Sequence, residues 1–271
     1  MIPVQNGVMN MIDGTLIKDT YFGRELLIYL PPSYGSSNNR YPVLYVHDLG
    51  DLFDPAHSGS LPSIEKLFSN QEVPELLLVG VAPKDRESEY TPFPKPHLLP
   101  NKRAYGGKGN EYAAFLANRL KPYIDRRYRT NPSREHTGII GKSFGGLISV
   151  YTAYLASKTF GKIGSLSGSF WFEGMTEFMK NNRFENKHLR IYMDVGSTEG
   201  TDRDNLQKEM IPRTKEAFSL LTESAASEKE LKFVIDEGGS HRLERFAKRF
   251  PEAVKWLFGS CHNNARNDRN V

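Results

Sequence analysis

Gly141, Lys142, Ser143, Phe144 and Gly145 spell G-x-S-x-G, with Gly146 next, and the pattern has a mechanical cause. A strand that turns abruptly into a helix holds the serine in strained backbone geometry, and side chains two positions away would collide with the turn. The turn lifts the hydroxyl off the carboxyl edge of a sheet. The helix that follows aims its first amides, and the positive end of its dipole, at the place where an oxyanion would form. The matching chemistry is nucleophilic attack on a carbonyl, which needs an imidazole to take the serine proton and a third group to orient the imidazole.

Seven histidines are present. His241 follows Gly238, Gly239 and Ser240 in a loop expected between a strand and a helix, which suits a general base; His262 sits in a polar tail. His57 and His97 read as loop or pocket-lining residues, His136 and His188 as strand entries and His47 as a strand end. None stands at metal-ligand spacing from Cys or carboxylates, so no metal site is expected, and acyl transfer by a serine needs no cofactor. For the acid, Glu199 in Asp194-Val-Gly196-Ser-Thr-Glu199 is preferred. Asp202 and Asp204 lie slightly farther on, and Asp194 ends the strand itself, where it suits a supporting role. Lys142 reads as a pocket-edge side chain rather than a base.

These residues need strands to carry them. Short aliphatic and β-branched runs occur at Arg24 to Leu30, Pro42 to His47, Glu75 to Val81, Thr137 to Lys142, Ile163 to Leu166, Leu189 to Asp194 and Leu231 to Asp236. Alternating with helical patterns, they predict an α/β fold with a mostly parallel central sheet and helices on both faces. The first two runs, separated by the turn region from Pro31 to Arg40, are expected to form an antiparallel edge. A helix capped by Asn110 carries Tyr112, Phe115, Leu116, Leu120, Tyr123 and Ile124 at steps of three and four. Others are expected over Phe144 to Ala156, Met210 to Ser224, Arg242 to Phe250 and Pro251 to Phe258, with Pro251 in the first turn of the last. The segment 83–108 holds Pro92, Pro94, Pro96 and Pro100 and reads as a long ordered loop walling a pocket.

At 271 residues, with 38% apolar and 11% aromatic side chains, the chain fits a single domain over 1–260 followed by a polar tail at 261–271. No run approaches the roughly 18 apolar residues of a membrane span. The net charge of +4 comes from interspersed Lys and Arg, which does not imply nucleic-acid binding. Met1 to Gly14 lacks the basic start and apolar run of a secretory signal, and Cys261 is the sole cysteine, so a cytoplasmic location is expected.

Together these segments resemble the putative esterase family, which includes enterochelin esterases, esterase D (an S-formylglutathione hydrolase), feruloyl esterases and mycolyltransferases. The landmarks are Tyr-Leu-Pro-Pro-Ser-Tyr at 29–34, Tyr-Pro-Val-Leu-Tyr-Val-His-Asp at 41–48, Leu-Phe-Asp-Pro at 52–55, Arg86 with Glu89-Tyr90-Thr91-Pro92, Arg-Glu-His-Thr-Gly at 134–138, Ser-Gly-Ser-Phe-Trp at 167–171 and Gly-Gly-Ser-His at 238–241. The resemblance implies an α/β-hydrolase fold and a serine esterase working through an acyl-enzyme intermediate. Its acid stands three residues after a glycine, as Glu199 does after Gly196. It implies oxyanion donors at Phe144 and in the loop after His47-Asp48.

This chain departs from the family there: relatives read Asp-Gly-Gln-Asn, whereas Asp48-Leu49-Gly50-Asp51 stands here, so Leu49 or Gly50 would donate. Lys142 and Phe144 replace a small residue and Met. Arg86 and Tyr90 are expected where the pocket wall begins, Arg86 either binding an anionic group of the substrate or pairing with Glu89. Trp171 and Phe172 are expected in the acyl pocket or the core. A siderophore trilactone fits the resemblance and the cations Arg86, Lys95, Lys102 and Arg103; S-formylglutathione or a feruloyl or carbohydrate ester is the alternative. A non-catalytic binding protein is the reading from another class, discriminated by ligand binding without turnover.

Overall fold

The computed structural model describes residues 12–225 and 227–259. Its strands, in chain order, are β1 Thr15–Tyr21, β2 Arg24–Leu30, β3 Val43–Val46, β4 Leu77–Val81, β5 Pro94–Lys95, β6 Tyr105–Gly106, β7 Thr137–Lys142, β8 Lys162–Leu166, β9 Arg190–Gly196 and β10 Leu231–Asp236. Eight form one sheet in the order β1-β2-β4-β3-β7-β8-β9-β10, and β5 pairs with β6. β1 with β2 and β2 with β4 are antiparallel; the pairings from β4 through β10 are parallel.

The helices are α1 Leu61–Ser69, α2 Arg86–Glu89, α3 Gly109–Phe115, α4 Lys121–Arg127, α5 Phe144–Ala156, α6 Met175–Asn181, α7 Met210–Ser224 and α8 Leu243–Phe258. Period-two alternation divides each strand between two cores. Val43 and Tyr45 of β3 and Leu77 and Val79 of β4 pack with Leu147 of α5 and Leu221 of α7. Leu44, Val46 and Leu78 face the other way, with Ile64 of α1 and Phe250 and Leu257 of α8. Covered on both faces, β3 and β4 read in sequence as unbroken apolar runs. Each fully buried aliphatic side chain contributes about 1.5–3 kcal/mol, so the register of such strands is strongly held.

Three expectations change. β2 and β3 are not partners, because β4 lies between them, antiparallel to one and parallel to the other. The true edge is β1, whose half-exposed mixture of polar and apolar residues hides it in the sequence. The two C-terminal helices are one: Pro251 lies inside α8, where Phe250, Ala253, Val254 and Leu257 are buried and outweigh the lost backbone hydrogen bond. Asn110 lies inside the first turn of α3, where its Oδ1 accepts from Tyr151 Oη at 2.6 Å, and Lys108 holds the cap position. The 83–108 segment is ordered by α2, the β5–β6 ribbon and a bond from Lys108 N to Ser88 O of 2.7 Å. Among the described residues no helix is long and apolar enough to cross a membrane. Cys261 and His262 lie outside them.

Candidate active site

Parallel neighbours β3, β7, β8, β9 and β10 all end on one edge of the sheet, and His47, Ser143, Ser167, Glu199 and His241 occupy or follow those ends. Ser143 has φ 56° and ψ −125°, the strained elbow between β7 and α5. A Cβ on Gly141 would lie 2.6 Å from the Gly145 carbonyl carbon, which is why the position two residues before Ser143 is glycine. Ser143 N donates to Leu166 O at 3.0 Å, and its Oγ lies 3.3 Å from Ser169 Oγ.

His241 Nδ1 lies 2.7 Å from Glu199 Oε2, with the ring edge-on to Phe246. The imidazole is 35% exposed and the carboxylate 0%. Glu199 Oε1 accepts from Ser167 Oγ at 2.5 Å and Gly196 N at 3.0 Å. Burial pushes the Glu199 carboxyl up, but the His241, Ser167 and Gly196 interactions outweigh it and hold the group below its ordinary value. Glu199 therefore meets His241, whereas Asp202 and Asp204 are exposed. Asp194 is wholly buried and binds Arg249, a supporting role. Among the described residues no hydrogen bond joins Ser143 to His241; the Ser143 hydroxyl meets that of Ser169 instead.

The loop after β3 runs through three left-handed residues, Asp48 (φ 55°), Leu49 (φ 57°) and Gly50 (φ 76°). Asp48 N donates to Tyr90 Oη at 3.0 Å, Gly50 N to His47 O at 3.0 Å and Asp51 N to Asp48 O at 3.2 Å. The Gly50 N–H, expected as one candidate oxyanion donor, is thereby already engaged by His47 O. Among the described residues the Leu49 and Phe144 N–H groups have no protein acceptor. Arg86 binds Asp48 through Nε and Nη2 at 2.7 and 3.0 Å, and Lys142 Nζ lies 2.8 Å from Asp51 Oδ2 and 3.3 Å from Asp48 Oδ2. Burial raises the Asp48 carboxyl, and the two cations more than offset that.

Three expected wall residues, Arg86, Lys142 and Tyr90, are placed differently, and Trp171 takes the core placement that was one of its two expectations. Arg86 clamps Asp48 rather than Glu89, which pairs with Arg24 through two bonds of 2.6 and 2.7 Å. Lys142 faces carboxylates. Tyr90 is 0% exposed and lies beneath the loop it supports. Trp171 is buried with Phe172, Phe144 and Tyr105 in an aromatic cluster. His47 is buried, its pKa lowered to about 3 by desolvation, and its Nδ1 lies 3.0 Å from Tyr112 Oη. Sequence reasoning missed Ser167, Ser169 and Arg249. Arg249 had a signal: a cation on the buried α8 stripe beside Phe246, Phe250 and Ala253. Among the described residues no cluster of His, Cys, Asp or Glu gathers as a metal ion would require.

Residues 22–257 match the family model described as "Putative esterase". The Bacillus subtilis (strain 168) protein named "Uncharacterized protein YbbA" is 34% identical over 246 residues, 91% of this chain and 97% of that one. The IroE-like serine hydrolase from Shewanella oneidensis has a similar fold, with a TM-score of 0.73 at 21% identity over 90% of this chain and 80% of that one. So does the enterobactin esterase FES from Shigella flexneri, with a TM-score of 0.70 at 17% identity over 94% of this chain and 62% of that one.

Proposed function

Since this chain belongs to the putative esterase family, we propose that it cleaves a carboxylic ester in two acyl-transfer steps carried by Ser143, His241 and Glu199. Ser143 Oγ attacks the carbonyl carbon and its proton passes to His241 Nε2. The proton then goes to the departing alkoxide, leaving an acyl-serine that water cleaves by the same route. The oxyanion receives the Leu49 and Phe144 N–H groups, which have no other acceptor among the described residues.

One observation carries this reading: a buried carboxylate holds Nδ1 of a half-exposed imidazole at the sheet edge where a strained elbow presents a serine. The 3.3 Å contact between Ser143 and Ser169 is long for two hydroxyls and holds the Ser143 hydroxyl only weakly. Catalytic hydrogen bonds commonly tighten only once substrate is bound.

For substrate, a siderophore trilactone is the reading we favour, by likeness to the enterobactin esterase fold. Arg86 and Arg103 are engaged by Asp48 and Asp85, so recognition of an anionic ring falls to Lys95 and Lys102 of the Pro-rich segment. A fluorophosphonate probe should label the wild type and not Ser143→Ala, and p-nitrophenyl acetate should be hydrolysed by the wild type alone. An unlabelled, inactive wild type, or a fully active Ser143→Ala, ends the proposal. Among an enterobactin-type trilactone, S-formylglutathione and a feruloyl ester, the trilactone should show the highest kcat/KM; a higher value for another moves the assignment to that ester.

A further inference from the structure

Arg249 reaches from α8 to the back of the acid-base pair. Its Nη1 lies 2.8 Å from Asp194 Oδ1, its Nη2 3.0 Å from Ser167 Oγ and 3.6 Å from Glu199 Oε1, and its Nε 3.6 Å from Asp236 Oδ2. The side chain is 8% exposed and occupies an otherwise apolar stripe. A buried cation is costly unless fully paired, and a hydrophobic residue of similar volume often serves stability as well. What it does there is therefore read from its bonds.

A guanidinium donates and never accepts. Ser167 Oγ receives Arg249 Nη2–H, so the one hydroxyl proton is left to go to Glu199 Oε1, 2.5 Å away. Ser167 is held for this on its other side, where its N–H donates to Asp194 Oδ1 and O at 3.0 and 3.1 Å and its φ is 46°. Glu199 Oε1 also accepts from Gly196 N. With Oε1 facing two donors, Oε2 is turned to His241 Nδ1, and because an ionised carboxylate only accepts, the proton of the neutral ring sits on Nδ1.

We infer that Arg249 is a positioning residue: by holding Ser167 as a donor to Glu199 Oε1, it fixes the carboxylate so that Oε2 meets His241 Nδ1–H and leaves Nε2 free to accept the Ser143 proton. The inference rests on Ser143, Glu199 and His241 being the catalytic set. A guanidinium that only neutralised Asp194 would act on stability alone.

The test uses the full chain with Ser167→Ala, Arg249→Met and the double variant. Resting-state ¹H and ¹⁵N NMR reads the His241 tautomer, and p-nitrophenyl acetate gives kcat and KM. The wild type should show a protonated Nδ1 and an unprotonated Nε2. Ser167→Ala keeps the Arg249–Asp194 pair, yet kcat should fall between about tenfold and a hundredfold, the scale for removing a partner behind an orienting group. KM should stay unchanged and the Nδ1–H resonance should weaken. Arg249→Met should do the same, and the double variant should be no worse than Arg249→Met, because both act through one chain. Wild-type kcat in both single variants overturns the inference. So does a silent Ser167→Ala beside an Arg249→Met that loses only stability; if Arg249→Met does not fold, Ser167→Ala decides alone. The tautomer is read without substrate, so a wrong wiring and a wild type that no fluorophosphonate labels are separate outcomes.

Discussion

Arg86 Nε lies 2.7 Å from Asp48 Oδ1, and this pair ties the Pro-rich segment to the loop that carries Leu49. Glu89, at the other end of the short α2, is anchored to Arg24 of β2. One turn of helix thus joins the sheet on one side and the left-handed loop on the other. The arginine placed by sequence in a binding wall is a clamp on the backbone expected to stabilise the oxyanion.

Arg86→Ala should therefore lower stability and kcat together. Breaking a buried ion pair costs about 3–5 kcal/mol, but the Arg86 side chain is 35% exposed and Lys142 still faces Asp48. Solvent screening brings the expected loss to about 1–2 kcal/mol by urea unfolding. KM should change little. A raised KM with kcat intact would instead make Arg86 a substrate contact.

Gly80 supports the same loop from β4. A Cβ there would lie 2.4 Å from Leu49 O, 2.6 Å from Leu49 C and 2.8 Å from Gly50 N, all backbone atoms that cannot swing aside. Gly80→Ala should displace the Leu49 amide and lower kcat by about 10²–10³, the range for losing one oxyanion donor. Circular dichroism should be unchanged and fluorophosphonate labelling slower. Labelling at the wild-type rate would show that Leu49 N–H is not a donor.

The placement of Ser143, Glu199 and His241 at one sheet edge was readable because each follows a strand with an apolar run and a loop that carries glycine. The order of the strands was not, since nothing local in β2 or β3 announces that β4 inserts between them. The choice between Leu49 and Gly50 was equally out of reach. It depends on which amides are already engaged, and Gly50 N is engaged by His47 O in a turn that only the folded loop displays. Arg249 could have been found as a charged residue in an apolar helical stripe, but its four side-chain partners, Asp194, Ser167, Glu199 and Asp236, come from three separate segments, and only folding gathers them.

Glu199→Gln tests the wiring from the acid side. Ser167 still donates to Oε1, so the new amide nitrogen faces His241 Nδ1 as a donor and demands a lone pair there. The ring proton then moves to Nε2, where it blocks the acceptance of the Ser143 proton. The expected fall in kcat is about 10⁴, the scale of the corresponding Asp→Asn change in a Ser-His-Asp triad, with little change in KM. A loss of less than tenfold would mean that Glu199 does not orient the base.

The two buried carboxylates should act on stability with opposite signs in adjoining pH windows. Burial, and secondarily the Glu199 charge, pushes Asp194 up to about 7 against the pull of Arg249. An unfolded Asp titrates near 3.9. The folded chain thus keeps a proton that the unfolded chain releases, and this contribution is complete below about pH 3.9 and lost as pH rises toward 7. Glu199, lowered when folded, does the reverse: its contribution is present above the unfolded value of about 4.3 and lost as pH falls through the depressed one. Asp194→Asn removes the first effect while keeping the shape. Between about pH 4.5 and 7.5 its urea midpoint should decline less than that of the wild type, whereas parallel slopes would mean that Asp194 is not the group taking up the proton.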